Sequence, residues 1–422
     1  MTLPRRVVIT GLGQVAPHGR DVAAGFEALL AGHSAIGQHT LGDPPHATTL
    51  ASAVCAGFDA AAELGRPRVA TMDRVSQLSA LAARSAWADA GLDADAALGA
   101  AERERSCVMW GTGAGGIQTL ERSYRELFVK GRPRISPLSV VMGMHNAAAG
   151  QLALLFGLGG ACFTYSVACA SSAVAIGEAL RRVRWGECTV ALAGGAEAAL
   201  PYGTVKAWQS MQVLAEPAAG EDVAGVCRPF DVTRRGLVLG EGAAALVLEE
   251  HSHALARGAR IYAELAGAGS SCDHQHLSTP DAGGQLRALQ AALRDAGASP
   301  DEVGYVNAHG TATTEGDPVE IDALRRLFGQ RSAAVAISAT KSLHGHLMGA
   351  AGALEAVVTT MAVHTGQMPP TANLTQLDPA CAGLDHVLGQ GRRANGLQLA
   401  LSNSFAFGGS NQVLVFRRAE PA

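Results

Sequence analysis

Short runs of branched aliphatic residues, each leading into a glycine cluster, recur along this chain, and its second half repeats the first in outline. Residues 6–10 lead to Gly11-Leu12-Gly13, 106–110 to Gly111-Thr112-Gly113 and 189–193 to Gly194-Gly195. In the second half, 261–266 lead to Gly267-Ala268-Gly269, 303–308 to His309-Gly310 and 398–403 to Gly408-Gly409. The closing runs correspond as well, 243–248 with 412–416. Unbroken aliphatic runs of this length read as strands buried on both faces. Helical stretches lie between them, such as 74–90 closed by Gly91 and 171–184 closed by Gly186. The pattern predicts an α/β fold made of two duplicated halves, 1–253 and 254–422, with the seam in the polar segment 251–258.

The 422 residues suit one or two large cores, and with 48% hydrophobic against 17% charged residues much of the chain must be buried. A net charge of −4 and 5% aromatic residues supply neither a basic field nor stacking platforms, which excludes nucleic acid as a partner. The cysteines are scattered without Cys-x-x-Cys pairs and read as reduced thiols. The N-terminus carries Gly11, Gly13 and His18 in place of an apolar signal segment, which predicts a cytoplasmic location. Residues 135–177 hold no Asp, Glu, Lys or Arg, yet Asn146, Gln151, Ser166 and several glycines interrupt them. A buried core helix and strand are expected there, with no membrane insertion, and the stretch before Cys169 is expected to bring apolar surface to an interface with a second chain.

Chemistry concentrates in a few segments. Ser166-Val167-Ala168-Cys169-Ala170-Ser171-Ser172 places a cysteine between a strand and a helix, where the helix end should lower the thiol pKa and activate a nucleophile. Asn307-Ala308-His309-Gly310-Thr311-Ala312-Thr313 and Lys341-Ser342-Leu343-His344-Gly345-His346 each set histidine beside glycine after a strand, so a duplicated fold could bring Cys169, His309, Lys341 and His346 into one cleft. Asn403-Ser404-Phe405-Ala406-Phe407-Gly408-Gly409 offers backbone N–H groups to a developing oxyanion. Two rival signals are weak. Gly111 to Gly116 matches the dinucleotide pattern GxGxxG but lacks the acidic residue about 20 positions on. Cys272-Asp273-His274-Gln275-His276 lacks a second cluster at metal-ligand spacing and reads as a loop at the cleft mouth.

With Arg228-Pro229-Phe230-Asp231 and Gly240-Glu241-Gly242 also in order, the whole chain resembles the beta-ketoacyl-acyl carrier protein synthases, elongating condensing enzymes with a Cys-His-His site. The resemblance implies a five-layered αβαβα thiolase-type fold and decarboxylative Claisen condensation in fatty acid or polyketide synthesis. It makes Cys169 the acyl acceptor, His309 and His346 the donors to the malonyl thioester oxygen, and the N–H groups of Cys169 and Phe407 the oxyanion hole. Lys341, close to His346 and Glu320, would hold the polar network, with Asn403, Gly408 and Gly409 in support. Thr311, Thr313, Trp208 and Ser278 would contact the substrate arm, and the small Ala114 and Ser139 would widen the acyl pocket. No metal and no cofactor are implied, since substrates arrive on the phosphopantetheine of an acyl carrier protein. The partners implied are that carrier and a second chain, either identical (a homodimer) or a ketosynthase-like chain-length factor (a heterodimer). Arg235 and Leu237 stand where the family has Asp and Phe. A degradative thiolase would need a second cysteine near Phe407, and a non-catalytic chain-length partner would lack Cys169.

Overall fold

The aliphatic runs form strands, and in the computed structural model, which describes residues 4–93 and 98–420, those strands pair in the same order in both halves. Residues 1–3 and 421–422, the outer ends of the two expected halves, lie outside the described residues. The first half contributes β1 (Val7–Val15), β2 (Cys107–Gly111), β3 (Cys162–Tyr165), β4 (Val190–Glu197) and β5 (Gly242–Glu250). The second contributes β6 (Ala263–Cys272), β7 (Val303–Asn307), β8 (Ala336–Ser338), β9 (Leu399–Ala406) and β10 (Ser410–Arg418). The first set is ordered β3-β2-β4-β5-β1 and the second β8-β7-β9-β10-β6. In each, the three strands farthest from the junction run parallel and the remaining pairings are antiparallel. Duplication thus holds at the level of register direction as well as order. The half-sheets meet where Val8 and Ile9 of β1 pair with Glu264 and Ala263 of β6.

Helices fill the layers between and outside the half-sheets. α1 (Arg74–Asp89) and α2 (Ala147–Phe156) cover the outside of the first, and α4 (Ala282–Asp295) and α5 (Gly316–Phe328) the outside of the second. Between them α3 (Ser171–Arg184) and α6 (Ala351–Thr365) pack on each other and on both half-sheets. The central core includes Ile9, Met109, Ile176, Leu246, Leu354 and Phe416; separate cores lie under α1 (Leu78, Leu81, Trp110) and under α4 (Leu289, Val306, Val413). This is the αβαβα arrangement. Because α6 is enclosed on all sides it is apolar nearly all round, and Glu355 is the one acid on it.

Two expectations change. The glycine clusters predict strand ends, yet β1 runs through Gly11 and Gly13, and β6 through Gly267 and Gly269. A Cβ on Gly11 or Gly13 would stand 2.1 Å from a carbonyl oxygen of α1, and one on Gly269 would stand 2.2 Å from the Ala292 nitrogen of α4. These glycines let a helix backbone lie on the strand, at matching places in the two halves. The uncharged segment 135–177 is only partly core: Val140, Leu154 and Phe163 are 68%, 80% and 49% exposed on this chain. The seam includes a short helix, His251–Ala256.

Candidate active site

Cys169 lies in the turn joining β3 to α3. Ala168 before it has φ +44°, a conformation costly for a residue with a Cβ, and the Ser171 hydroxyl holds the turn by accepting the Val167 N–H (2.8 Å) and donating to the Ala168 carbonyl (2.6 Å). The first turn of α3 rests directly on β2 and β4, where a Cβ at Gly111 or Gly195 would stand 2.2 Å from Ser172 N and 2.5 Å from Ser172 Cβ. That contact accounts for a glycine of the GxGxxG pattern without a dinucleotide. A helix start favours the thiolate, but here burial prevails. Desolvation pushes the Cys169 thiol up to about 11, against the pull of Lys341 and of the Phe407 N–H. Burial thus opposes the lowering expected from the helix end and favours the neutral thiol.

Two imidazoles complete the cluster, and one reactive atom of each of Cys169, His309 and His346 lies within 4.8 Å of the others. His346 Nε2 is 3.0 Å from the sulfur, while its Nδ1 accepts the Met348 N–H at 3.1 Å. With Nδ1 occupied as an acceptor, the neutral ring carries its proton on Nε2, facing Cys169. His309 is set the same way, for Lys341 Nζ stands 3.3 Å from its Nδ1 and donates to its carbonyl at 2.7 Å. The third N–H of Lys341 goes to Glu355 in a buried ion pair. Burial first, and the Lys341 charge second, hold both imidazoles well below their ordinary pKa, so each is neutral. The His rings are 5.6 Å apart and nearly perpendicular.

The surrounding loops are tied down by carboxylates. Glu320 on α5 accepts the His309 N–H (2.9 Å), the Gly310 N–H (2.8 Å) and an Asn403 amide N–H (2.9 Å), and Asp317, one turn earlier, accepts the Ala312 and Phe230 N–H groups. Lys341 is near enough to Glu320 for its charge to be felt there, and its ion-pair partner is Glu355. His346 is pinned through its backbone, its N–H on Val238 O (2.7 Å) and its carbonyl accepting from Gly240 N–H (2.9 Å). The neighbouring His344 turns away: its Nδ1 bonds the Gly345 carbonyl and its Nε2 the Thr340 hydroxyl.

A cavity of about 310 Å³ opens onto the sulfur, bordered by His309, His346, Thr311, Thr313, Trp208 and Phe407. Ser278 and Leu237 also face it, and residues 277–280 of the loop after β6 form part of its wall. Phe407 stacks on Trp208 with ring centres 5.9 Å apart while its N–H is directed at the sulfur; Gly408 and Gly409, both with positive φ, shape the turn that aims it. Cys272 is exposed, and His276 Nδ1 accepts from the backbone of Ser278 and Thr279. Ala114 and Ser139 do not line this cavity. The Ala114 N–H bonds Glu197, and the Ser139 hydroxyl bonds Ser123 at 2.8 Å. The loop 113–116 instead stands between the Ala168 turn and residues 142–145. Arg235 is exposed and pairs with Glu221, and the adjacent Arg234 is buried on the Thr313 and Thr314 carbonyls.

Sequence reasoning missed Glu355, Asp317 and Glu197. For Glu355 the signal was present, a lone acid on an otherwise apolar helix; burial pushes it up to about 7 while Lys341 pulls the other way.

Residues 4–254 match the family model for the beta-ketoacyl synthase N-terminal domain, and 262–375 that for the beta-ketoacyl synthase C-terminal domain. The chain is 41% identical over 418 residues to nodulation protein E of Rhizobium sp. (strain N33), covering 99% of this chain and 100% of the relative. It is 38% identical to 3-oxoacyl-[acyl-carrier-protein] synthase 2 of Vibrio cholerae serotype O1, over 98% of this chain and 99% of the relative. Among solved structures, a beta-ketoacyl synthase from Burkholderia phymatum STM815 superposes with a TM-score of 0.89 at 39% identity, covering 99% and 100% of the two chains. A ketosynthase from a complex of a type II PKS acyl-carrier protein with its ketosynthase bound to the hexaketide gives a TM-score of 0.89 at 28% identity, with the same coverage.

Proposed function

The chain belongs to the beta-ketoacyl synthase family and is an elongating condensing enzyme, an acyltransferase of the 3-oxoacyl-acyl carrier protein synthase type, and we propose that Cys169, His309 and His346 carry its reaction. Cys169 sulfur attacks the carbonyl of an acyl thioester, the Cys169 and Phe407 N–H groups hold the tetrahedral oxyanion, and the carrier thiol leaves with the proton, giving S-acyl Cys169. Because the resting group is a thiol, activation consists in stabilising the thiolate as it forms, through the Nε2–H of His346, the Phe407 N–H and the charge of Lys341. A malonyl thioester then enters. Its terminal C–C bond breaks, carbon dioxide leaves, and the electron pair forms an enolate whose oxygen accepts the Nε2–H bonds of His309 and His346. The enolate carbon attacks the acyl carbonyl on Cys169 and expels the thiolate, releasing the 3-oxoacyl thioester, and the thiolate takes a proton from solvent to return to the thiol. The observation that carries this reading is that both Nδ1 atoms already face donors, so both Nε2–H groups are committed to the cleft.

The acyl carrier protein is the partner that delivers both thioesters, as in the complex of the related ketosynthase. A second ketosynthase-type chain, identical or related, covers the apolar face formed by Leu138–Gly143, α2 and the edge strand β3; an exposed edge strand carrying Phe163 is otherwise an aggregation hazard. The loop 113–116, which stands between the Ala168 turn and residues 142–145, is where the acyl chain would leave the cavity toward that face. Wild-type protein incubated with acyl-carrier and malonyl-carrier should yield 3-oxoacyl-carrier, and Cys169→Ala should not; unchanged product from the variant would overturn the assignment. Sedimentation should show a two-chain particle, from this chain alone if the partner is identical or with a co-expressed ketosynthase-like chain if it is related, reduced to one chain by Leu154→Arg, and a wild type that is monomeric in both cases would refute the interface.

A further inference from the structure

One carboxylate beside Cys169 takes no part in the steps above, yet the loops on both sides of the sulfur meet on it. Glu197, the last residue of β4, is fully buried. Its Oε2 accepts the N–H of Gly113 (2.7 Å) and of Gly349 (3.1 Å), and its Oε1 the N–H of Ala114 and the hydroxyl of Thr112 (both 3.2 Å). The two loops also touch directly: a Cβ on Gly349 would stand 2.3 Å from Gly113 N and 2.7 Å from Glu197 Oε2, and one on Gly113 would stand 2.8 Å from the same oxygen. Glycine at both positions makes room for the carboxylate.

What the clamp holds is the machinery itself. Gly349 follows Met348, whose N–H occupies His346 Nδ1 and whose φ of +48° is a strained value for a side-chain-bearing residue. On the other side, the Gly113 carbonyl accepts the Ser166 hydroxyl at 3.3 Å, on the approach to Cys169. Four donors converge on two oxygens, which suits an anion: a protonated acid or an amide must turn one donor of its own against an N–H. Burial pushes Glu197 up to about 7, and the N–H bonds from Gly113, Ala114 and Gly349 oppose it.

We propose that Glu197 is a positioning residue: as a carboxylate it straps the Thr112–Gly115 loop to Gly349 and so keeps the Met348 N–H on His346 Nδ1, which leaves the His346 proton on Nε2 facing Cys169. The inference rests on the role given above to His346. It carries a consequence opposite in sign for the thiol, since the Glu197 charge disfavours the Cys169 thiolate. The other ionisable groups around the sulfur are Lys341, Glu355, His309 and His346.

The test uses full-length protein and two readouts, carbon dioxide released from malonyl-carrier and the rate of Cys169 alkylation by iodoacetamide at pH 8. Glu197→Gln should lower the first at least about tenfold, a fraction of the 10²–10³ typical of deleting one oxyanion donor, and raise the second. Glu197→Asp keeps the charge but shortens the reach, so decarboxylation should fall while alkylation is no faster than in the wild type; it decides the matter if the Gln variant does not fold. Wild-type rates in the folded variant, or equal slowing of both readouts, would overturn the proposal. Failure of the wild type to decarboxylate at all, or of His346→Ala to slow it, would instead strike the reading of the site on which the proposal rests.

Discussion

Replacing Lys341 by Met should separate what this side chain does for the fold from what it does for the reaction. Lys341 is 1% exposed, and its three N–H bonds go to Glu355, the His309 carbonyl and His309 Nδ1. Without the cation, Glu355 is a buried carboxylate with no counter-charge, and breaking such a pair costs about 3–5 kcal/mol of stability. The loss depends on pH. Burial already holds Glu355 near 7, above its unfolded value, and removing Lys341 raises it further. A carboxyl raised in the folded state contributes less stability as pH rises from the unfolded toward the folded pKa, so the variant should lose more relative to wild type at pH 8.5 than at pH 6. Lys341→Met/Glu355→Gln removes both charges and should recover most of the stability. It should not recover carbon dioxide release from malonyl-carrier, because His309 Nδ1 still has no donor to fix its proton on Nε2; a deficit of about 10²-fold, that of one lost oxyanion donor, should persist in both variants. Denaturant unfolding at the two pH values alongside radiolabelled carbon dioxide release makes the measurement. Activity returning with stability in the double variant would refute the assignment and leave Lys341 a purely structural residue.

His309→Ala and His346→Ala should each still load acyl groups on Cys169 while releasing carbon dioxide at least about a hundredfold more slowly, and loss of loading with decarboxylation retained would reverse the roles. Because burial holds the Cys169 thiol near 11, alkylation should speed up about tenfold per pH unit from pH 7 to 10, whereas a plateau below pH 8 would mean a resting thiolate. Ala114→Phe should impair condensation of long acyl groups and spare short ones, overpacking costing about 1–3 kcal/mol; equal effects on both would remove Ala114 from the acyl path.

Much of the architecture was legible because the two halves repeat one strand order and the central strands are buried on both faces. The meaning of the glycines was not. Gly11, Gly13, Gly267 and Gly269 look like turn residues in one dimension, and their role, admitting α1 and α4 onto the strands, exists only once helix and sheet are packed. Cys169 was identified by its place at a helix start, but its ionisation was misjudged because the sequence displays the helix end and hides the burial that outweighs it. The partner of Lys341 was likewise hidden. Glu320 lies in the conspicuous His309 motif, whereas Glu355 sits a full helix away in the apolar middle layer. The exposure of Val140, Leu154 and Phe163 within the uncharged stretch 135–177 was hidden because composition does not tell which apolar residues a chain buries within itself.

Condensation turns on a covalent acyl group at one sulfur. Wild-type protein should be incubated with acyl-carrier in the absence of malonyl-carrier, digested, and its cysteine peptides weighed. The mass of one acyl group should appear on the peptide containing Cys169 and vanish when malonyl-carrier is added, as the chain is passed to the enolate. Acyl mass on another thiol, such as the exposed Cys272, or an adduct on Cys169 that malonyl-carrier does not discharge, would contradict it.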